Sequence, residues 1–133
     1  MPLTLTYFNG KGRAELSRLV LALGGVEYVD QRIGVDGVPA WPAQKEEQPF
    51  GQLPVLTLEN GTKIAQSVSI ALYLAAKSPA NLLGDSLEKQ AEVTSLLLQI
   101  DDVHCSFARF WFTTPEAERG TVCCPLPVCV CVC

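Results

Sequence analysis

The chain changes its hydrophobic period twice before residue 34, and that switch narrows the available folds more than any other feature. Leu3-Thr-Leu-Thr-Tyr-Phe8 alternates apolar and polar residues, placing Leu3, Leu5 and Tyr7 on one face of a strand that turns at Asn9-Gly10. From Arg13 to Leu23 the spacing becomes helical. Leu16, Leu19, Val20 and Leu23 fall at i, i+3, i+4 and i+7, and Gly24-Gly25 supplies the left-handed backbone that stops the helix. Tyr28-Val-Asp-Gln-Arg-Ile33 reads as a second strand. A strand, a helix and a strand within about thirty residues predict a parallel βαβ unit.

Residues 34–52 carry several Gly and Pro breakers and predict a loop with one helical turn near 40–47. Leu53-Pro-Val-Leu-Thr-Leu58 and Thr62-Lys-Ile-Ala65 then flank Glu59-Asn60-Gly61, where Asn-Gly supplies the two positive-φ positions of a tight hairpin. Ser67 precedes a helix with Val68, Ala71, Leu72 and Ala75 on one face. The order βαβ, loop, ββα defines a compact α/β domain over residues 2–78. A linker over 79–85 leads into a long helix that starts at Ser86, with Leu96, Ile100, Val103, Phe107 and Phe110 spaced 4, 3, 4 and 3. As one helix to about Phe112 it would span roughly 40 Å. So wide an apolar stripe needs other helices over it, but only Thr114-Pro-Glu-Ala-Glu-Arg119 offers a further helix start. Residues 86–119 therefore read as an incomplete helical domain, and 120–133 as an atypical Cys-rich tail.

Composition removes several functional classes. Ten Lys+Arg against fourteen Asp+Glu leave a net charge of −4, and the basic residues are scattered, so no stripe faces a nucleic acid. The longest uncharged stretch, Gly120 to Cys133, contains Pro125 and Pro127 and is too short to cross a bilayer of about 30 Å as a helix. Met1 to Arg13 lacks the basic start and apolar core of a secretion signal. The expectation is a soluble, cytoplasmic protein. Of six cysteines none precedes Cys105, so the α/β domain folds without crosslinks and is no disulfide scaffold.

The βαβ-ββα order with a proline opening the third strand is the thioredoxin-like pattern. Pro54 has no N–H to give a central ladder and belongs at the strand's start; a cis Leu53-Pro54 bond would turn the Leu53 backbone edge-on to a ligand, a trans bond would not. No cysteine ends the first strand, which excludes thiol–disulfide exchange by the domain itself. Tyr7 stands there instead. A phenol can donate to a thiolate brought by a small molecule, and Arg13 at the helix start adds positive potential. A packed strand aromatic and a solvated arginine fit the same residues. Gln66-Ser67 sits at a strand-to-helix junction, where the Ser hydroxyl caps the helix and the free N–H groups suit a carboxylate. Trp41 and Lys45, four apart, suit a second carboxylate or form an ordinary surface pair.

Tyr7-Phe8-Asn9-Gly10-Lys11-Gly12-Arg13-Ala14-Glu15, Trp41-x-x-x-Lys45, Pro49-Phe50-Gly51-Gln52-Leu53-Pro54-Val55 and Gln66-Ser67-x-x-Ile70-Ala71-x-Tyr73-Leu74 follow in order. Together they resemble the amino-terminal half of a cytosolic glutathione transferase, most similar to the Sigma class and its prostaglandin D synthase relatives. The match is specific over residues 2–77 and continues more weakly through Asp101-Asp102 to about Phe112. The resemblance implies that Tyr7 hydrogen-bonds the glutathione thiolate with support from Arg13. It implies that Trp41, Lys45 and Gln52 hold the glycyl carboxylate, and that Leu53 pairs its backbone with the cysteinyl residue beside cis-Pro54. Gln66 and Ser67 would take the γ-glutamyl end. Asp101 matches an acidic position that in relatives reaches a dimer partner's γ-glutamyl ammonium, a role Asp102 would serve equally.

The resemblance thus implies an enzyme that conjugates glutathione, as co-substrate and without a metal, to small electrophiles for detoxification, working as a homodimer. The chain departs from the family after residue 119. Cysteine spacing in the tail suits a soft metal, and Cys131-Val132-Cys133 faintly resembles a prenylation signal, but neither has the accompanying His ligands or polybasic stretch. An aberrant end accounts for the tail more simply. Two other readings follow: a glutathione-binding or dimerising protein with little catalysis, and a truncated inactive product.

Overall fold

The computed structural model of the protein describes residues 1–35 and 37–116. The expected order of elements is present. β1 (Thr4–Phe8), α1 (Glu15–Leu23) and β2 (Val29–Ile33) form the βαβ unit; α2 (Trp41–Gln44) and two short 3₁₀ turns occupy the loop; β3 (Val55–Thr57), β4 (Lys63–Ala65) and α3 (Ser67–Lys77) complete the domain. The four strands lie in the order β2-β1-β3-β4. β1 pairs parallel with β2, matching Tyr7 to Arg32, and antiparallel with β3, matching Leu5 to Leu56. The core is the layer between this sheet and α1 with α3: Leu3, Leu5, Ala14, Leu21, Leu56, Ile70 and Leu74. The fold is thioredoxin-like, followed by the single long helix α4 (Leu87–Thr113).

Helix α1 turns inward a different face from the one its leucines suggest. Leu19 and Leu23 are 55% and 70% exposed, while Ala14, Ser17, Arg18 and Leu21 are buried. These four also run i, i+3, i+4, i+7, so the period was right and the phase was not. Small Ala14 and Ser17 let α1 approach the sheet and α3 closely. Arg18 enters the interior because Glu15, Asp30 and the Gly10 carbonyl meet its charge. At the end of α1 the left-handed residue is Gly25, φ +60°. Gly24 serves close packing instead, since a Cβ there would sit 2.8 Å from the Ser78 hydroxyl.

The β3–β4 hairpin is present, but not as a two-residue turn. Leu58 N–H donates to Thr62 O at 2.8 Å and Gly61 N–H to Leu58 O at 2.9 Å, leaving Glu59-Asn60-Gly61 as a three-residue loop. Gly61 alone takes positive φ, +85°, while Asn60 uses its side-chain oxygen to accept from Thr62 N–H. This is the other common way to join twisted strands, with one left-handed residue at the end of the loop.

Helix α4 spans 27 residues and starts as expected, with the Ser86 hydroxyl accepting from Lys89 N–H. It rests on α3 and on the turn Gly12–Ala14. Its inward residue is Leu97; the stripe of Leu96, Ile100, Val103 and Phe107 points outward and is exposed, with Phe110 half-buried. Residues 117–119 of the expected further helix and all of the Cys-rich tail lie outside the described residues. No described helix is long and apolar enough to cross a membrane.

Candidate functional site

An open groove of about 470 Å³ lies where β1, the start of β3, the start of α3 and one face of α4 converge. It is lined by Arg13, Trp41, Gln52, Leu53, Pro54, Gln66, Ser67 and Asp101, eight of the ten residues singled out from sequence, together with Phe8, Gly51 and Cys105. The sequence brings them together through chain reversals. β1 delivers Phe8 and the following turn to one side, and the Leu53-Pro54 bond, which is cis, opens β3 at the floor. Gln66 lies at φ +74°, ψ 119°, a region that non-glycine residues rarely occupy and that is concentrated at functional sites. That backbone sets Gln66 across the groove, where its amide donates to Gln52 Oε1 at 3.3 Å.

Tyr7 and Lys45 are not among the lining residues. Tyr7 is half-buried behind the Gly12 turn, so close that a Cβ on Gly12 would stand 2.5 Å from the phenol oxygen. That oxygen accepts a hydrogen bond from Arg13 N–H at 3.2 Å. The aliphatic stem of Lys45 passes Gly51, beside the groove rather than in its wall. Trp41 meets Phe8 edge-on, ring centroids 5.7 Å apart, and Phe8 in turn meets Tyr7 edge-on at 5.5 Å.

The charged end of the groove is built between the two parts of the chain. The Arg13 guanidinium forms a close ion pair with Asp101 and donates to Cys105 Sγ at 2.9 Å. Partial burial works against the Arg13 charge, and Cys105 and Asp101 outweigh it, holding the guanidinium above its ordinary pKa. Ser67 does not cap α3 as expected: it is the first residue of the helix, and its hydroxyl donates to Asp101 Oδ1 at 3.3 Å. Within this chain, Asp101 therefore joins α4 to both Arg13 and Ser67. Its carboxylate lines this chain's own groove.

Three lining residues, Cys105, Phe8 and Gly51, escaped the sequence reading as site residues. Cys105 lies one helical turn beyond Asp101, so i, i+4 spacing from an already chosen residue was the available signal. Phe8 ends β1 and follows Tyr7, which drew the attention. Among the described residues, no group of three or more His, Cys, Asp or Glu could hold a metal ion.

A mixed sheet of this order, a cis-proline at the strand start and a polar groove alongside it define a thioredoxin-like ligand-binding domain. The model of the glutathione S-transferase N-terminal domain matches residues 3–76. A hematopoietic prostaglandin D synthase from Gallus gallus is 42% identical over 117 residues, covering 87% of this chain and 52% of that protein. Glutathione S-transferase 2 from Manduca sexta is 38% identical over 113 residues, covering 85% and 52%. The crystal structure of a monomeric glutathione S-transferase, Na-GST-3 from Necator americanus, superposes with a TM-score of 0.75 at 37% identity, covering 91% of this chain and 58% of that one. The chain belongs to the glutathione S-transferase family. It spans about half the length of the relatives it matches.

Proposed function

We propose that the groove binds glutathione and that the chain uses it as a nucleophile toward small electrophiles, a Sigma-class-like transferase activity serving detoxification in the cytoplasm. The observation that carries this reading is the convergence on one groove of seven residues from four separate motifs, joined by Asp101 from α4. The Leu53 backbone beside Pro54 would pair with the cysteinyl unit. Gln66 and Ser67, with Asp101, would take the γ-glutamyl end. Trp41, Gln52 and neighbouring Lys45 would take the glycyl carboxylate. Residues 2–78 form the glutathione-binding domain in this account, 79–85 the linker and 86–119 the start of the helical part. Family members commonly dimerise, and we extend a homodimeric arrangement to this chain.

The chemistry asks one thing of the protein: a sulfur that is anionic at neutral pH. A free thiol titrates near 8.5, and lowering that by ~2 units requires roughly 2.7 kcal/mol of preferential binding to the thiolate. The Arg13 N–H fills an acceptor position on the Tyr7 oxygen, which leaves the phenol proton free to be donated. In the reaction the thiol loses its proton to solvent, and the sulfur bonds to the electrophilic carbon. In a substitution the leaving group departs with its electron pair; in an addition the π electrons of the acceptor shift away from the attacked carbon, and a proton from solvent completes the product. The test is Tyr7→Phe assayed with a chromogenic electrophile. A hydrogen bond to a charged group contributes about 1.5–3 kcal/mol, so turnover should fall by about ten- to a hundredfold with little change in KM for glutathione. Parent-like turnover would remove Tyr7 from the mechanism.

A second reading, glutathione binding with little catalysis, is favoured by the outer face of α4. Leu96, Ile100 and Phe107 remain exposed, and nothing among the described residues covers them or closes the groove. Retention on immobilised glutathione without conjugation would select this reading.

A further inference from the structure

Arg18 lies outside the groove, and no reading of the sequence singled it out. Its side chain is only 9% exposed. Nη1 donates to Gly10 O at 2.7 Å, more weakly to Lys11 O at 3.4 Å, and to Glu15 Oε2 at 3.1 Å, while Nε donates to Asp30 at 3.2 Å. Asp30 is fixed in turn by Arg32, which also reaches Asn9 Oδ1. One guanidinium thus ties together the residues that precede Gly12, the start of α1 and the neighbouring strand β2. The segment it holds, Gly10–Arg13, delivers the Arg13 N–H to the Tyr7 oxygen.

We propose that Arg18 is a positioning residue for the Tyr7 hydroxyl: by clamping the Gly10–Lys11 carbonyls it keeps the Arg13 N–H on the phenol oxygen and so directs the phenol proton outward. The proposal rests on the glutathione reading of the groove. Gly12 shows how little slack the arrangement has, since the turn passes at φ +42° with no room for a Cβ against the phenol oxygen. If the clamp slackens, the N–H withdraws, the hydroxyl rotates freely, and the donor to the bound sulfur loses its direction. Lysine cannot replace the clamp. It keeps the charge but not the planar fork that spans two carbonyls and two carboxylates.

The test is the ionisation of bound glutathione, followed by thiolate ultraviolet absorbance against pH, in the parent chain, Arg18→Lys and Glu15→Gln. The charged or titratable groups around that sulfur, Tyr7 and Arg13 from the first strand and turn and Asp101 and Cys105 from α4, are the same in all three chains. The parent midpoint should lie below that of free glutathione, and Arg18→Lys should raise it by about one pH unit, a tenfold fall in the ratio of thiolate to thiol. Glutathione affinity should change little, because the groove's own contacts remain. Glu15→Gln removes one anchor of the clamp and should raise the midpoint by less. A purely structural role would lower the melting temperature and leave the midpoint in place. A folded Arg18→Lys chain with the parent's midpoint overturns the proposal. If Arg18→Lys does not fold, an unshifted Glu15→Gln chain does so, since Glu15 is partly exposed and glutamine has nearly the same shape. A parent chain that binds no glutathione refutes the glutathione reading and this proposal with it, and one that binds it with the thiol unshifted refutes the nucleophile role and this proposal; both outcomes are distinct from a variant that merely matches a working parent.

Discussion

Leu56 and Ile70, in β3 and α3, are wholly buried, whereas Leu96 and Ile100 on α4 are 64% and 43% exposed. Both pairs belong to regular apolar patterns. In the α/β domain the pattern finds its complement within about seventy residues, because a sheet face and two helices close on each other. On α4 the apolar stripe points away from the domain, and the face that packs inward carries Leu97 with Asp101 just beyond it. The contrast teaches that α4 is attached to the domain as much by the groove's polar contacts, Asp101 to Arg13 and Ser67, as by apolar packing. The groove and the attachment of α4 therefore share the Asp101 contacts.

The sharpest way to break this comparison is to truncate matched residues on each side of it. Ile70→Ala should cost about 2–5 kcal/mol in chemical denaturation, whereas Leu96→Ala should stay within about 0.5 kcal/mol. Equal losses would mean that the outer face of α4 is covered in solution. A smaller effect sharpens the view of α4 as a helix with few anchors: Ser86→Ala removes its capping acceptor and should cost about 1 kcal/mol, read as a loss of helical circular dichroism on mild heating.

The smallest effect is confined to alkaline pH. Burial first, then neighbouring Asp30, raises the Tyr28 phenol above its ordinary pKa. The unfolded chain therefore releases this proton at lower pH than the folded one. The stabilisation is intact below pH about 10 and fades as the pH climbs toward the folded value. Tyr28→Phe should flatten the alkaline fall in stability relative to the parent; parallel curves would show that the domain edge, where Tyr28 packs, opens before the phenol ionises.

The parts legible in the sequence were those where side-chain pattern and backbone requirement agree. The strands, the long helix and the cis-proline start of β3 followed from period, breakers and family motifs, and so did eight residues that line the groove. What failed was phase and partner choice. Arg18 was invisible because a charged residue reads as outward until Glu15, Asp30 and the Gly10 carbonyl are brought to it by folding. Ser67 read as a cap because its position allows one; only the approach of α4 offers its hydroxyl the Asp101 carboxylate instead. Asn60-Gly61 fits two loop lengths, and the pairing of Leu58 with Thr62 decided between them. Cys105 went unseen because the groove was drawn from the α/β domain's motifs, and α4 supplied part of its wall.

The account turns on the Tyr7 phenol acting on a bound sulfur, and the direct measurement is the pH titration of glutathione thiolate absorbance in the parent chain beside Tyr7→Phe. The parent should ionise the bound thiol about two pH units below the free value near 8.5, and Tyr7→Phe should restore most of that difference. Superimposable titrations for the two chains would contradict it.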